Sequence, residues 1–125
     1  MAKTVLIVED EQSMQRALKN KLEHAGYTVL AANDGEGAID ALRGATKPDL
    51  VLLDLIMPKL DGISVLRQMK ADDALRGVPV VILTNLSSGD KVAEAMQLGT
   101  FDFLVKANYS LDDVLRKVND RLGGP

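Results

Sequence analysis

The sequence predicts an α/β domain built on one doubly wound, five-stranded parallel sheet with helices on both faces. Three observations predict it. Five short apolar runs recur along the 125 residues, segments with helical spacing separate them, and glycines or capping residues mark most of the joins. Runs that are continuously apolar, rather than alternating, belong to parallel strands covered on both faces. Strand–helix alternation with short connections implies right-handed crossovers onto a single sheet.

The first run is Val5-Leu6-Ile7-Val8, and after it Met14, Ala17, Leu18, Leu22 and Ala25 fall on one helical face. Gly26 follows that helix, where a residue able to turn left-handed is wanted. Thr28-Val29-Leu30-Ala31 is the second run. Asp34, a good N-cap, precedes a short helix over residues 37–42, and Gly44 follows it, again where a left-handed residue is wanted. Leu50-Val51-Leu52-Leu53 is the third run, and Asp61-Gly62 reads as a turn feeding a helix over residues 63–70. Val80-Val81-Ile82-Leu83 comes next, then Val92, Ala95, Met96 and Gly99 at helical spacing. The fifth run covers residues 101–105. Ser110 then opens the last helix, with Asp113 placed as in a capping box and Leu111, Val114, Leu115, Val118 and Leu122 on its apolar face. The domain is expected over residues 1–122, with 123–125 a tail or the start of a linker.

Composition narrows the function classes. Hydrophobic residues make up 46% and charged residues 26%, which separates the chain from disordered sequences. Net charge is −3 with both signs interspersed, so the basic patch of a direct nucleic-acid binder is not expected. No segment approaches the ~20 apolar residues that span a bilayer, and the first apolar run, of four residues, is too short for a signal-peptide core. Cysteine is absent, which removes disulfides and thiol chemistry and fits a reducing compartment. A cytoplasmic domain without a membrane partner is the expectation.

In open α/β sheets ligands bind beyond the carboxyl ends of the strands. The first run ends in Glu9-Asp10-Glu11, the third in Asp54, the fourth in Thr84 and the fifth in Lys106. The second ends in Ala31-Ala32 and offers nothing comparable. With the second strand at an edge, the other four ends converge, giving strand order 2-1-3-4-5. Carboxylates held close together repel, and a bound cation or proton relieves them. Mg²⁺ suits an all-oxygen site that also touches phosphate oxygens. A carboxylate with one free oxygen can attack phosphorus held in line, which needs mainly positioning and charge neutralisation. Lys106 can supply one positive charge to the phosphoryl group, and Thr84 a hydrogen bond.

The pattern Val8-Glu9-Asp10-Glu11, the segment from Leu53-Asp54 through Pro58 to Asp61-Gly62, Thr84 and Leu104-Val105-Lys106 resembles the receiver domain of two-component response regulators. That resemblance implies a flavodoxin-like (βα)₅ fold and Asp54 as the phosphoacceptor, charged by a histidine kinase or a histidine phosphotransfer protein. It implies Glu9, Asp10 and Asp54 as Mg²⁺ ligands together with the backbone carbonyl of Ile56. Thr84 and Lys106 would serve the phosphoryl group, with Thr84 and Phe103 as the switch pair. The face of the fourth helix, fifth strand and fifth helix would address a downstream protein, or a second copy after phosphorylation. Three departures stand out: Ala107 where a proline is usual, Asn85 where a small residue is usual, and apolar Ile56 and Leu86 where side chains tune attack by water. The last pair implies slow hydrolysis of the phosphoryl group.

Other readings lie beside this one. A turnover phosphatase with an aspartate nucleophile wants a general acid two residues later, where Ile56 stands. An FMN carrier wants a hydroxyl- and glycine-rich loop after the first strand, where three acids stand. A docking module that is never phosphorylated remains the alternative on the same fold. The expected chemistry is confined to the chain's own phosphorylation and dephosphorylation, without turnover of other molecules. His24, the sole histidine, is expected on the surface.

Overall fold

The computed structural model describes residues 2–55, 61–84, 89–105 and 108–125. Ten elements alternate in order: β1 (Thr4–Val8), α1 (Gln12–His24), β2 (Thr28–Ala32), α2 (Gly35–Leu42), β3 (Leu50–Asp54), α3 (Gly62–Ala71), β4 (Val80–Thr84), α4 (Gly89–Gln97), β5 (Asp102–Val105) and α5 (Leu111–Leu122). The strands form one sheet in the order β2-β1-β3-β4-β5, and every pairing is parallel. The predicted architecture and strand order are therefore those observed.

Alternate residues of each central strand feed two separate cores. Leu6, Val8, Val51, Leu53, Val80 and Ile82 face α2, α3 and α4 through Ala38, Ile39, Leu42, Ile63, Leu66, Met69 and Ala95. Val5, Ile7, Leu50, Leu52, Val81 and Leu83 face α1 and α5 through Leu18, Leu22, Val114 and Val118. β1 and β3 are buried at every position, which is why their sequences are apolar without alternation. At the sheet edge, β2 is buried only at Ala32.

Local signals map closely onto the helix ends. Asp34 caps α2 by accepting from Gly37 N–H, and Ser110 with Asp113 forms a complete capping box on α5. Gly26 and Gly99 adopt φ of 103° and 94° as helix-ending residues. Gly44 differs from expectation, because Arg43 caps α2 at φ −93° and Gly44 is not left-handed. Its N–H instead closes a tight turn onto Ala41 O, 3.2 Å away. Phe101 differs as well. The strand begins at Asp102, and Phe101 sits just before it, 44% exposed. Its N–H still donates to Val80 O of β4 at 2.9 Å, and the Arg121 guanidinium lies 5.9 Å from the centre of its ring. Pro125 lies over the turn at Gly26, its Cγ 3.1 Å from where a Cβ there would stand. Among the described residues no helix is long and apolar enough to cross a membrane.

Candidate functional site

Sheet register brings the acids together. Val8 pairs with Leu53, so Glu9 and Asp54 occupy the next rung, at the carboxyl ends of adjacent central strands. Glu9 extends β1 by one more bond, its N–H donating to Ala32 O at 3.1 Å. Because the strand is sandwiched between helices, Glu9 is carried inward and is fully buried. One carboxylate oxygen, Oε1, accepts the Glu11 N–H at 3.1 Å. Asp54, the last residue of β3, is only 5% exposed. Asp10 lies between the strand and the start of α1 and is exposed.

One carboxylate oxygen from each of Glu9, Asp10 and Asp54 lies within 4.8 Å of the other two. Two buried and one exposed acid at that spacing repel, and a cation between them relieves the repulsion. The donors are all oxygen and anionic, which matches a hard cation such as Mg²⁺ and lacks the nitrogen or sulfur that zinc prefers. Exposed Asp10 leaves one side of the group open to water, as a cation that keeps part of its hydration shell requires.

The far wall depends on a glycine. A Cβ at Gly62 would overlap the Asp54 carbonyl oxygen and stand 2.6 Å from Leu55 Cα. Without one, Gly62 N–H donates to Leu55 O at 3.0 Å, and the start of α3 packs directly on the backbone that carries Asp54. Asp61 then caps α3, accepting Ser64 N–H at 2.9 Å. That bond above all holds its carboxyl below the usual range; partial burial opposes it and Lys91, at 3.7 Å, assists. The expected turn at Asp61-Gly62 is thus present, and the close approach of Gly62 to Asp54 adds a packing requirement that the motif alone did not reveal.

The remaining site residues are placed unevenly. Thr84 closes β4 and pairs with Val105. The Thr84 side chain, Ile56 and Lys106 lie outside the described residues, as do Asn85, Leu86 and Ala107. Phe103 pairs with Ile82 in β5 and is 39% exposed. His24 is exposed at the far end of α1, with Nδ1 3.2 Å from Asn20 O. One residue passed over in the sequence, Gln15, touches the backbone of the acidic turn. A polar residue in the first turn of a helix carries no distinctive signal, so only the fold exposes it.

A family model described as the response regulator receiver domain matches residues 5–119. The Bacillus subtilis alkaline phosphatase synthesis transcriptional regulatory protein PhoP is 37% identical over 106 residues, 85% of this chain and 43% of that protein. The chain spans about two fifths of the length of this and similar curated relatives. Among solved structures, the signal receiver domain of a signal transduction histidine kinase from Syntrophus aciditrophicus superposes with a TM-score of 0.87 at 34% identity, covering 98% of this chain and 91% of that one. The receiver domain of sensor histidine kinase PA1611 from Pseudomonas aeruginosa, with a magnesium ion coordinated in its active site cleft, gives 0.86 at 27% identity, covering 99% and 100%. With strand order, acidic rung and family match all in agreement, the chain belongs to the response regulator receiver domains of two-component signalling.

Proposed function

We propose that this domain accepts a phosphoryl group on Asp54 in a Mg²⁺-dependent reaction and signals by changing conformation, as a cytoplasmic switch. The observation that carries it is the meeting of Glu9, Asp10 and Asp54 within 4.8 Å at the carboxyl edge of the sheet. The donor is a phosphohistidine of a histidine kinase or phosphotransfer protein, the partners with which this family works. One Asp54 oxygen attacks phosphorus, an acyl phosphate bond forms, the phosphorus–nitrogen bond breaks, and the departing imidazole takes a proton. Bound Mg²⁺ supplies charge neutralisation on the phosphoryl oxygens. Glu9 and Asp10 hold the cation with Asp54 and the Ile56 carbonyl, while Lys106 and Thr84 address the phosphoryl group. The family's magnesium-bearing relative supports the cation assignment. The domain turns over no other molecule; its only chemistry is on itself.

The output surface is the face of α4, β5 and α5. It carries the exposed large hydrophobics among the described residues, Met96, Phe101 and Phe103, bordered by the Lys117–Asp102 ion pair at 2.5 Å. Such a patch fits a downstream protein or a second copy of the domain. The test is intact-mass measurement after incubation with acetyl phosphate and Mg²⁺. One added phosphoryl group in the parent and none in Asp54→Asn is the expected result. An unlabelled parent, under conditions that label another receiver, would leave the unphosphorylated docking module as the function.

A further inference from the structure

We propose that Gln15 is a positioning residue for the acidic site, tying the edge strand β2 to the turn that carries Glu9 and Asp10. The inference rests on reading Glu9, Asp10 and Asp54 as a Mg²⁺ site. Gln15 stands in the first turn of α1, half-buried, and the two hydrogens of its Nε2, which serve two acceptors fully or are shared, have three within reach. These are Glu9 O at 3.0 Å, Ala32 O at 3.0 Å and Asn33 Oδ1 at 2.9 Å. Two of the three are backbone carbonyls, which can only accept, so the amide nitrogen rather than its oxygen must face them.

The placement matters because β1 and β2 part company here. The last rung between the two strands is Val8 with Ala32, and the Glu9 N–H reaches back to the same Ala32 O at 3.1 Å. Gln15 bonds that carbonyl and the Glu9 carbonyl together. One side chain therefore closes the gap behind Glu9, on the side away from Asp54. Strand β2 contributes no acid, hydroxyl or amine to the site, and Gln15 is the means by which its end still supports the site. Acids with an oxygen each within 4.8 Å of the others repel when ionised, which favours an outward shift of the turn in the absence of a cation. A donor fixed to the backbone of that turn resists the displacement and keeps the ligands at binding distance, as supporting hydrogen bonds do at metal sites.

The test compares Gln15→Met, close in shape but without donors, and Gln15→Arg, which keeps donors, with the parent. Two quantities are read: backbone amide exchange by NMR in metal-free protein, and Mg²⁺ affinity by calorimetry with MgCl₂. For Gln15→Met the Glu9 and Glu11 amides are expected to exchange about tenfold faster while β3 amides keep their rates. Mg²⁺ binding should weaken about tenfold. Gln15→Arg should restore protection at Glu9. The proposal is overturned if Mg²⁺ affinity in Gln15→Met stays within about twofold of the parent, or if β3 exchange accelerates as much as Glu9 does, since the effect would then be global. A parent that binds no Mg²⁺ would instead bring down the reading of the site itself, which separates the two failures.

Discussion

Glu9 and Asp10 are neighbours in sequence with opposite surroundings: Glu9 is fully buried at the end of a covered strand, and Asp10 faces solvent. Single residues around them set how tightly the site is built. Gly62→Ala would drive a methyl into the backbone of Asp54 and Leu55, atoms that cannot swing aside. It is expected to cost about 1–3 kcal/mol in urea unfolding and to reduce Asp54 labelling sharply. A stability within about 0.5 kcal/mol of the parent would show that the close approach is dispensable. Asp61 gives a pH-dependent counterpart. Its folded pKa is lowered, first by the Ser64 N–H bond, so its contribution is present above the unfolded carboxylate value near ~4 and is lost as pH falls through the folded value. Asp61→Ala should therefore cost about 1 kcal/mol at neutral pH, and the gap to the parent in urea midpoint should close as pH drops below about 4. A gap that stays constant with pH would contradict the charged cap. The apolar Ile56 and Leu86 lead to one more expectation: the phosphoryl group on Asp54, once formed, should decay slowly, and rapid loss in a time course of intact mass would refute it.

Among elements, α4 differs from its neighbours. It buries only Ala95 among its described residues, whereas α3 buries Gly62, Ile63, Val65, Leu66 and Met69. Apart from the apolar contacts of Val92 and Ala95, the described links between α4 and α3 are polar: Lys91 to Asp61, and Arg67 to Glu94. Surface ion pairs add only ~0–1 kcal/mol each. A helix held this way opens at low free energy. Peptides covering α4 should exchange amide hydrogens at least about tenfold faster than those covering α3, and their protection should change on phosphorylation. Equal protection in the two helices would count against α4 as the less firmly held part of the proposed output face. By contrast α5 is firmly ended, by its capping box at Ser110 and by left-handed Gly123 at φ 76°. Ser110→Ala should destabilise by about 1 kcal/mol in thermal or urea unfolding.

For the molecule as a whole, the proposed cation site links any ion it holds to folding. The three acids are assembled from two separate strand ends, so the group exists only in the folded chain. A ligand that binds only the folded state stabilises by about 1.4 kcal/mol at tenfold excess over Kd, or roughly 5 °C in Tm for a domain of this size. MgCl₂ should raise Tm by that order, and Asp10→Asn should remove most of the rise. An unchanged Tm in saturating MgCl₂ would argue that the acids do not hold the ion.

Much of this was legible in the chain. Unbroken apolar runs such as Leu50-Val51-Leu52-Leu53 announce strands covered on both sides, and their spacing leaves one sheet as the simplest solution. Polar residues placed directly after such runs, Glu9-Asp10 and Asp54 above all, could be assigned to one crevice because parallel strands end on a common edge. Signals confined to a few neighbouring residues, such as Ser110 with Asp113, also read correctly, since capping is local chemistry. Contacts between distant segments did not. That Gly44 needs no left-handed backbone, that Gly62 must lack a Cβ and that Gln15 grips two strand ends are facts of approach between pieces of chain. Sequence determined which residues are apolar, which are acidic and at what intervals they fall. Tertiary structure alone decided how near the backbone of one segment comes to the side chain of another, because that distance is set by packing against partners remote in the chain.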